Sequence, residues 1–232
     1  MQPTIYKPSI YNGNGIYKNG ASGGGGENID DYLLLEYITQ MPNNSGSNYF
    51  SIPFETLAND YFELTFMLDN NLYTNSVLPG FSTNDGLGNY IETFLQYATN
   101  NITFCSFYNS SGYQYLGTSF TKGRKYKITR NNFTIEKYDV ENDYHEYFAV
   151  NNSGFMPQKY IQIIGDGKWP TYNTKTRIYG FVLKRDGVTL MNLFPVVKRS
   201  DGVTCGLFDI INNVVYYTRE NQSTSFTPGQ VL

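Results

Sequence analysis

The sequence of 232 residues contains one histidine, His145, and one tryptophan, Trp169. A single histidine excludes any site that needs two, and without a CxxC or HExxH pattern we expect no structural zinc. No apolar run approaches the ~20 residues of a membrane-spanning helix. We therefore expect no metal, no cofactor and no membrane partner.

Charged residues are also scarce: they make up 16% of the chain, and the formal net charge is −3. This balance provides no basic surface for nucleic acid, so no nucleic-acid partner is expected. The glycine run at 23–26 is not followed by the lysine and Ser/Thr of a phosphate-binding loop. The first residues lack the apolar segment of a secretory signal, so we expect assembly in a cytoplasm.

The chain has two cysteines, Cys105 and Cys205, each within an apolar, strand-like run. A disulfide between them and two buried free thiols both fit this pattern. Free thiols are favoured, because an unpaired cysteine behaves as a small buried hydrophobe.

Aromatic residues are abundant at 17%, with 22 tyrosines. Tyrosine and threonine favour strands, whereas asparagine and glycine favour turns. The alternation in residues 61–68 places one face of a strand in a core. Two stacked antiparallel sheets are predicted, with a short helix also fitting at 54–59. The predicted strands are 32–38, 49–54, 61–68, 90–97, 102–108, 113–116, 126–129, 133–138, 145–150, 160–164, 178–184 and 189–197.

The segment 175–229 carries the clearest turn signals. Asp186-Gly187 lies between two apolar runs, which predicts a tight hairpin, and Asp201-Gly202 predicts a second turn. Pro195 falls within the predicted strand 189–197. Because proline has no backbone N–H, we expect this strand to lie at a sheet edge or to carry a bulge there.

The same segment carries an ordered series of apolar, Asp-Gly and aromatic positions. They are Leu193, Phe194, Pro195, Val196, Asp201, Gly202, Val203, Gly206, Leu207, Phe208, Asp209, Ile210, Ile211, Asn212, Val215, Tyr216, Tyr217, Phe226, Thr227 and Gly229. In this order the segment resembles the closing part of concanavalin A-like (laminin G-like) jelly-roll domains in structural proteins of tailed phages, and the block 35–68 is similar to the opening strands of those domains.

The resemblance implies an all-β, jelly-roll antiparallel β-sandwich in a virion, and it implies no reaction. We expect the closing segment to span both sheets and to bury Phe194, Leu207, Phe208, Val215 and Tyr216.

Residues 1–28 differ from the rest of the chain and are predicted to be an anchoring arm with a glycine-rich linker, preceding a sandwich over 29–232. They cannot bury enough apolar surface to order themselves. Their isoleucine–tyrosine pairs are separated by turn residues, so we expect each pair to insert into a partner, either another virion protein or another copy in a homo-oligomer. The predicted anchors are Ile5, Tyr6, Ile10, Tyr11, Ile16 and Tyr17.

Three carboxylates, Asp139, Glu141 and Asp143, alternate along one short stretch. On a strand, all three would lie on the same face. Two of them could then act as the catalytic carboxylate pair of a glycoside hydrolase, or the three could bind calcium. Asn142 weakens the strand pattern, so a solvated hairpin end is favoured and the chain is predicted not to be an enzyme. We also expect that changing all three to amides leaves stability nearly unchanged.

Trp169 and Tyr172 lie in the polar loop 165–175. Their amphipathic rings predict stacking on a host surface glycan or on a partner chain, although a tryptophan folded over the sandwich rim fits the same sequence.

Together these features predict a virion structural protein: a head fibre, tail fibre or decoration protein that displays the sandwich, with host glycan adhesion as a further role. The alternatives are a stand-alone carbohydrate-binding module and a glycoside hydrolase.

Deleting residues 1–22 tests the arm. Each buried anchor would contribute roughly 1.5–3 kcal/mol before the cost of ordering the arm. We therefore expect the truncated protein to fold and remain soluble but to be missing from purified particles. Truncated protein present in particles at the wild-type copy number would contradict the prediction.

Overall fold

The computed structural model describes residues 28–40, 49–69, 77–84, 90–98, 101–108, 113–116, 118, 120–131, 134–149, 158–164, 175–218 and 226–232, with the backbone course alone over 77–116. Within these ranges the chain is built of strands, apart from one 3-10 turn at Ile29–Asp31. Asn28 caps that turn by accepting a hydrogen bond from the amide of Asp30.

The strands form two antiparallel sheets, as predicted. The large sheet has eleven strands in the order β11-β10-β9-β4-β13-β14-β15-β16, with β1 beside β14 and β2 joining β13 to β17. Its members are β1 (Tyr32–Leu34), β2 (Ile38–Gln40), β4 (Asp60–Leu68), β9 (Lys125–Arg130), β10 (Thr134–Asp139), β11 (Tyr144–Ala149), β13 (Thr176–Arg185), β14 (Val188–Lys198), β15 (Cys205–Asp209), β16 (Val214–Tyr216) and β17 (Phe226–Pro228).

The small sheet has six strands in the order β3-β12-β5-β6-β7-β8. They are β3 (Phe50–Thr56), β5 (Val77–Asn84), β6 (Tyr90–Ala98), β7 (Asn101–Tyr108), β8 (Tyr113–Leu116) and β12 (Gln158–Ile163).

The core lies between the inner faces of the two sheets. In β4, Phe62, Leu64, Phe66 and Leu68 are buried while the residues between them are partly exposed, which confirms the predicted alternation. These side chains belong to one cluster that also contains small-sheet residues such as Ile161. The fold is therefore an antiparallel jelly-roll β-sandwich of the concanavalin A-like class, as predicted.

A second apolar cluster covers the outer face of the large sheet beside β1. It consists of Tyr32, Val196, Phe208 and Val215, and the Tyr32 hydroxyl is hydrogen-bonded to that of Tyr217. This end of the large sheet is therefore buried on both faces.

The closing segment departs in part from its prediction. Leu207, Phe208 and Val215 are buried, but Phe194 and Tyr216 are half-buried. The expectation that this segment spans both sheets was wrong, because its strands β13 to β17 all belong to the large sheet. An isolated bridge between Phe50 and Thr218 links it to the small sheet.

Pro195 does not mark an edge strand or a bulge, so that prediction was wrong. Strand β14 is an interior strand, and its pairing with β15 runs through Pro195 opposite Leu207 without a register shift. On its other side, β14 changes partner near the proline, from β13 at Leu193 to β1 at Val196. The proline, which has no backbone N–H, therefore lies where β14 stops pairing with β13 and begins to pair with β1.

Two further predictions about secondary structure are corrected. The chain forms no helix at 54–59, because β3 continues to Thr56 and is followed by a turn in which Asp60 accepts the amide of Leu57 at 2.8 Å. The predicted strand 32–38 is divided into β1 and β2. Between them the Leu35 amide bonds to Pro195, and the next amide bonds to Gln230.

The Asp-Gly hairpin is confirmed. Asp186 and Gly187 both have positive φ, at 50° and 80°, as the mirror-image type I′ turn requires. Gly202 also has a positive φ, 68°, and Asp201 accepts the amides of Val203 and Thr204. These bonds, led by one from the Thr204 hydroxyl, lower the pKa of Asp201 to about 2.

Cys205 is a free, buried thiol, as the sequence favoured. Burial raises the pKa of this thiol to about 12, so it is protonated at neutral pH. The side chain of Cys105 lies outside the described residues.

Two hairpins of the large sheet share one turn design. In residues 139–143 and 209–213, an aspartate ends the first strand, and the side-chain amide of the asparagine three positions later donates to it. The last turn residue, Asp143 or Asn213, has positive φ, at 52° or 54°. The first aspartate, Asp139 or Asp209, is therefore the hydrogen-bonded anchor of each turn.

Substituting Asp139 by asparagine tests this anchor. Burial by itself would raise the pKa of Asp139, but hydrogen bonds from Asn142, Arg124 and the Glu141 amide hold it below its ordinary value. The carboxylate therefore stabilises the fold at neutral pH, and this contribution is lost as the pH falls through the lowered pKa. We expect Asp139→Asn to cost about 1–3 kcal/mol in urea unfolding at pH 7.

Asp143→Asn is the matched control. Asp143 is exposed, and asparagine tolerates its positive φ, so we expect a change within about 0.5 kcal/mol. Equal unfolding midpoints for the two variants would show that Asp139 does not anchor the turn.

Candidate functional site

The candidate site is the outer face of the large sheet at its β11 edge. Alternation along β10 and β11 turns Ile135 toward the core and sends Glu136, Tyr138, His145 and Tyr147 to the opposite face. In the register of this hairpin, Tyr138 stands opposite His145 and Glu136 opposite Tyr147. We call these four residues the ring face.

The three rings of the ring face stand nearly parallel. The centroids of Tyr138 and His145 are 4.2 Å apart with 20° between the planes, and those of His145 and Tyr147 are 6.2 Å apart with 9°. Tyr147 is 66% exposed at the sheet edge. Because Tyr138 and His145 are stacked on each other, Tyr147 is the ring of the three that exposes most apolar surface to a ligand from solvent.

Glu136 is the hydrogen-bonding centre of this surface. Its Oε1 lies 2.5 Å from Nδ1 of His145, and its Oε2 accepts from the Thr129 hydroxyl at 3.2 Å. The negative charge of Glu136 raises the pKa of the Tyr147 hydroxyl, with smaller contributions from burial and from a hydrogen bond between the two groups. Glu136 thus fixes the orientation of the neighbouring ring.

The polar network continues across the sheet to β4. The hydroxyl of Tyr61 donates to Glu63 at 3.3 Å, and Lys127 pairs with the same carboxylate at 3.0 Å. Burial, followed by the negative charge of Glu63, raises the pKa of Tyr61 to about 12. Next to the ring face, the outer surface therefore carries a paired cation and a protonated phenol.

The turn 140–143 closes the other end of the ring face. Asp143 accepts the hydroxyl of Tyr138 at 3.1 Å, and its Oδ1 lies 3.9 Å from Nε2 of His145. The Asp143 side chain is 87% exposed, so its carboxylate faces solvent beside the rings.

The three carboxylates singled out in the sequence do not form one site. Asp139 is the last residue of β10 and is buried, whereas Glu141 and Asp143 are exposed in the turn that follows. The predicted hairpin end is confirmed. The expectation that amides at all three positions leave stability unchanged conflicts with the four hydrogen bonds that Asp139 accepts.

The other predicted site residues lie outside the described residues. This holds for Trp169 and Tyr172 and for the six arm residues Ile5, Tyr6, Ile10, Tyr11, Ile16 and Tyr17. The ring face was not predicted from the sequence, although a signal was present: rings at 138, 145 and 147 flank one turn. Recognising them requires the hairpin register, which aligns 138 with 145.

The described part of the chain offers neither a cluster of metal ligands nor a membrane-spanning helix. No group of three or more His, Cys, Asp or Glu residues there could hold a metal ion. None of the helical segments there has the length and apolar character needed to cross a membrane.

Comparison with known proteins relates this chain to others through structure alone. No family model and no curated protein matches it. Among solved structures, it is similar to an immunostimulatory antigen and pseudo β-1,3-glucanase of Mycobacterium tuberculosis, at 14% identity and a TM-score of 0.39. The match covers 57% of this chain and 66% of that one.

Two other similar structures are named for enzymes. A β-1,3-glucanase from Mycobacterium marinum matches at 14% identity and a TM-score of 0.37, covering 59% of this chain and 67% of that one. An alginate lyase of polysaccharide lyase family 7 matches at 12% identity and a TM-score of 0.37, covering 60% of this chain and 62% of that one.

These names correct one prediction. The chain was predicted not to be an enzyme, and that prediction was wrong in excluding activity, because sandwiches of this kind are named as glucanases and as a lyase. At sequence identities this low, the similarity shows a shared fold only, and a fold by itself assigns no reaction. The virion setting stays a prediction.

Replacing Glu136 by glutamine tests the electrostatics of the ring face. Because the Glu136 charge is the main cause of the raised pKa of Tyr147, we expect the variant to lower that pKa toward its ordinary value. The pKa of Tyr61 should stay high, since burial is its main cause. Titration of both phenols by ¹³C NMR measures this, and an unchanged Tyr147 curve would contradict the assigned contact.

Proposed function

We propose that this chain is a carbohydrate-binding β-sandwich and that the ring face is its binding surface. The observation that supports this proposal is the exposed row of parallel rings beside a fixed carboxylate. The apolar face of a sugar ring packs on an aromatic ring, while its hydroxyls donate to carboxylate oxygens. Tyr147, the most exposed of the three rings, offers the first kind of contact, and Glu136 offers the second.

The way the rings are held also supports binding. Tyr138 is fixed by its bond to Asp143, and His145 by its contact with Glu136. A ligand would therefore meet side chains that have already lost much of their rotamer freedom, which reduces the entropy cost of binding.

Cleavage of the bound glycan is a second candidate, favoured by the position of Glu63. Both Glu63 and Glu136 stand opposite Thr129 of the strand between them, on the same face of the sheet. Their Cα atoms are therefore two strand spacings apart, roughly 9–10 Å. Glycosidases use two carboxylates on either side of the bond they break. Release of reducing ends from a glycan panel, lost in Glu136→Gln, would support this candidate.

For the setting, we propose display on a virion, assembled in a host cytoplasm. The similarity of the closing segment to tailed-phage jelly-roll domains supports this setting. The arm 1–28 would bind other virion proteins or further copies of this chain, and Trp169 with Tyr172 would form a second stacking site.

Removing the most exposed ring tests carbohydrate binding. We expect Tyr147→Ala to lower the affinity for glycans identified on an array by about fivefold or more, because stacking of this kind contributes about 1 kcal/mol. The affinity is measured by titration calorimetry.

Tyr144→Ala is the matched control, since Tyr144 is a 56% exposed tyrosine on the same strand but on its other face. Equal affinities for wild type and Tyr147→Ala would remove the ring face from consideration. A loss confined to Trp169→Ala would move the site to the loop 165–175.

A further inference from the structure

We propose that the ring face prefers glycans that carry free amino groups over uncharged glycans and excludes anionic ones. This inference rests on the proposed function and adds the chemical class of the ligand. It follows from the charges that surround the rings and from the exposed carboxylate of Asp143 beside them.

The cations on the neighbouring outer face are already paired. Lys127 lies 3.0 Å from Glu63, and Lys125 lies 3.4 Å from Glu36. Strand β9 therefore leaves little positive charge to attract an acidic sugar.

The side chains around the β10–β11 hairpin carry an excess of negative charge. Arg124 is paired with Asp139, and Lys137 with Glu146. This leaves three carboxylates in the ring face and the turn, those of Glu136, Glu141 and Asp143. His145 is the remaining basic residue of this described hairpin. A uronate or sulfate on the rings would meet like charges at both ends, which disfavours it.

Asp143 is placed to receive a cation. Its carboxylate lies beside the ring pair Tyr138 and His145, accepts one hydroxyl, and remains 87% exposed. An ammonium group next to these rings would donate a charge-assisted hydrogen bond to Asp143 and would be attracted by the Tyr138 π face. An uncharged sugar would gain neither electrostatic term.

The backbone at Asp143 allows a clean substitution. Its φ of 52° lies in the left-handed region, which asparagine also adopts, so Asp143→Asn removes the charge without straining the turn. Asp186 provides a matched control: it has a φ of 50° and an exposed side chain in the β13–β14 turn. That turn lies beside the first residue of β4, whereas the Asp143 turn lies near the other end of the strands, where β4 ends. Asp186→Asn changes the net charge of the protein equally.

The experiment compares three oligosaccharides of one length: a β-1,4-glucosamine oligomer, its N-acetylated counterpart, and a uronate oligomer. Each is titrated by calorimetry into wild type, Asp143→Asn, Asp186→Asn and Tyr147→Ala, at low and high salt, and at a mildly acidic pH where the amine is protonated. The measured quantity is the ratio of the affinities for the amine and N-acetyl forms.

We expect wild type and Asp186→Asn to bind the glucosamine oligomer about threefold or more tightly than the N-acetylated one, and to show no binding of the uronate. In Asp143→Asn the ratio should fall toward one. High salt should reduce the preference in wild type, because the interacting charges are exposed.

The possible failures are distinguishable. Equal affinities for the amine and N-acetyl forms, both reduced in Tyr147→Ala, would overturn the preference and leave carbohydrate binding standing. A ratio that falls equally in Asp186→Asn would show that net charge is responsible, which also overturns it. If wild type binds none of the oligomers, both this inference and the role of the ring face are overturned.

Discussion

The packing of two inner sheet faces against each other is the interaction on which the rest of this structure depends. The buried residues of β4, β9, β13 and β14 meet those of β3 and β12 in one continuous cluster. Because side chains alternate along a strand, every inward residue places its neighbours outside. The burial of Ile135 in the core is thus what fixes the outward direction of Glu136, and the same alternation positions the rings.

The turns determine which of the outward-facing residues become neighbours on adjacent strands. The Asp139 turn sets the register of β10 against β11, and that register brings Tyr138 opposite His145. A shift by one residue would send the rings to the other face. The related turn at Asp209 serves β15 and β16, where the outer face is covered by the second apolar cluster instead. The same type of turn therefore joins β10 to β11, whose outer face is exposed, and β15 to β16, whose outer face is buried.

The ring face combines groups that are individually ordinary for a sheet surface. The ring face is distinguished by the way these groups are connected. The carboxylate of Glu136 contacts His145, Thr129 and Tyr147 and thereby links three strands in one polar network. The two lysines of the adjoining strand β9 are paired with Glu36 and Glu63, so the sign of the local potential is set at the hairpin end by Asp143 and Glu141. These features underlie both the proposed carbohydrate binding and the proposed preference for amine-bearing ligands.

The sequence by itself determined most of the strands and the turns, although it did not predict strand β5 (Val77–Asn84). Alternation in 61–68 identified β4, and Asp186-Gly187 identified a tight hairpin, because both signals are carried by residues close together in the chain. Tertiary structure alone decided which strands became neighbours. It placed the closing segment in one sheet, put Pro195 in an interior strand where the partner changes, and left Asp139 buried while Asp143 faced solvent. The physical reason is that a period of two shows which residues share a face but not which strand lies beside them, and that choice depends on contacts between residues distant in sequence.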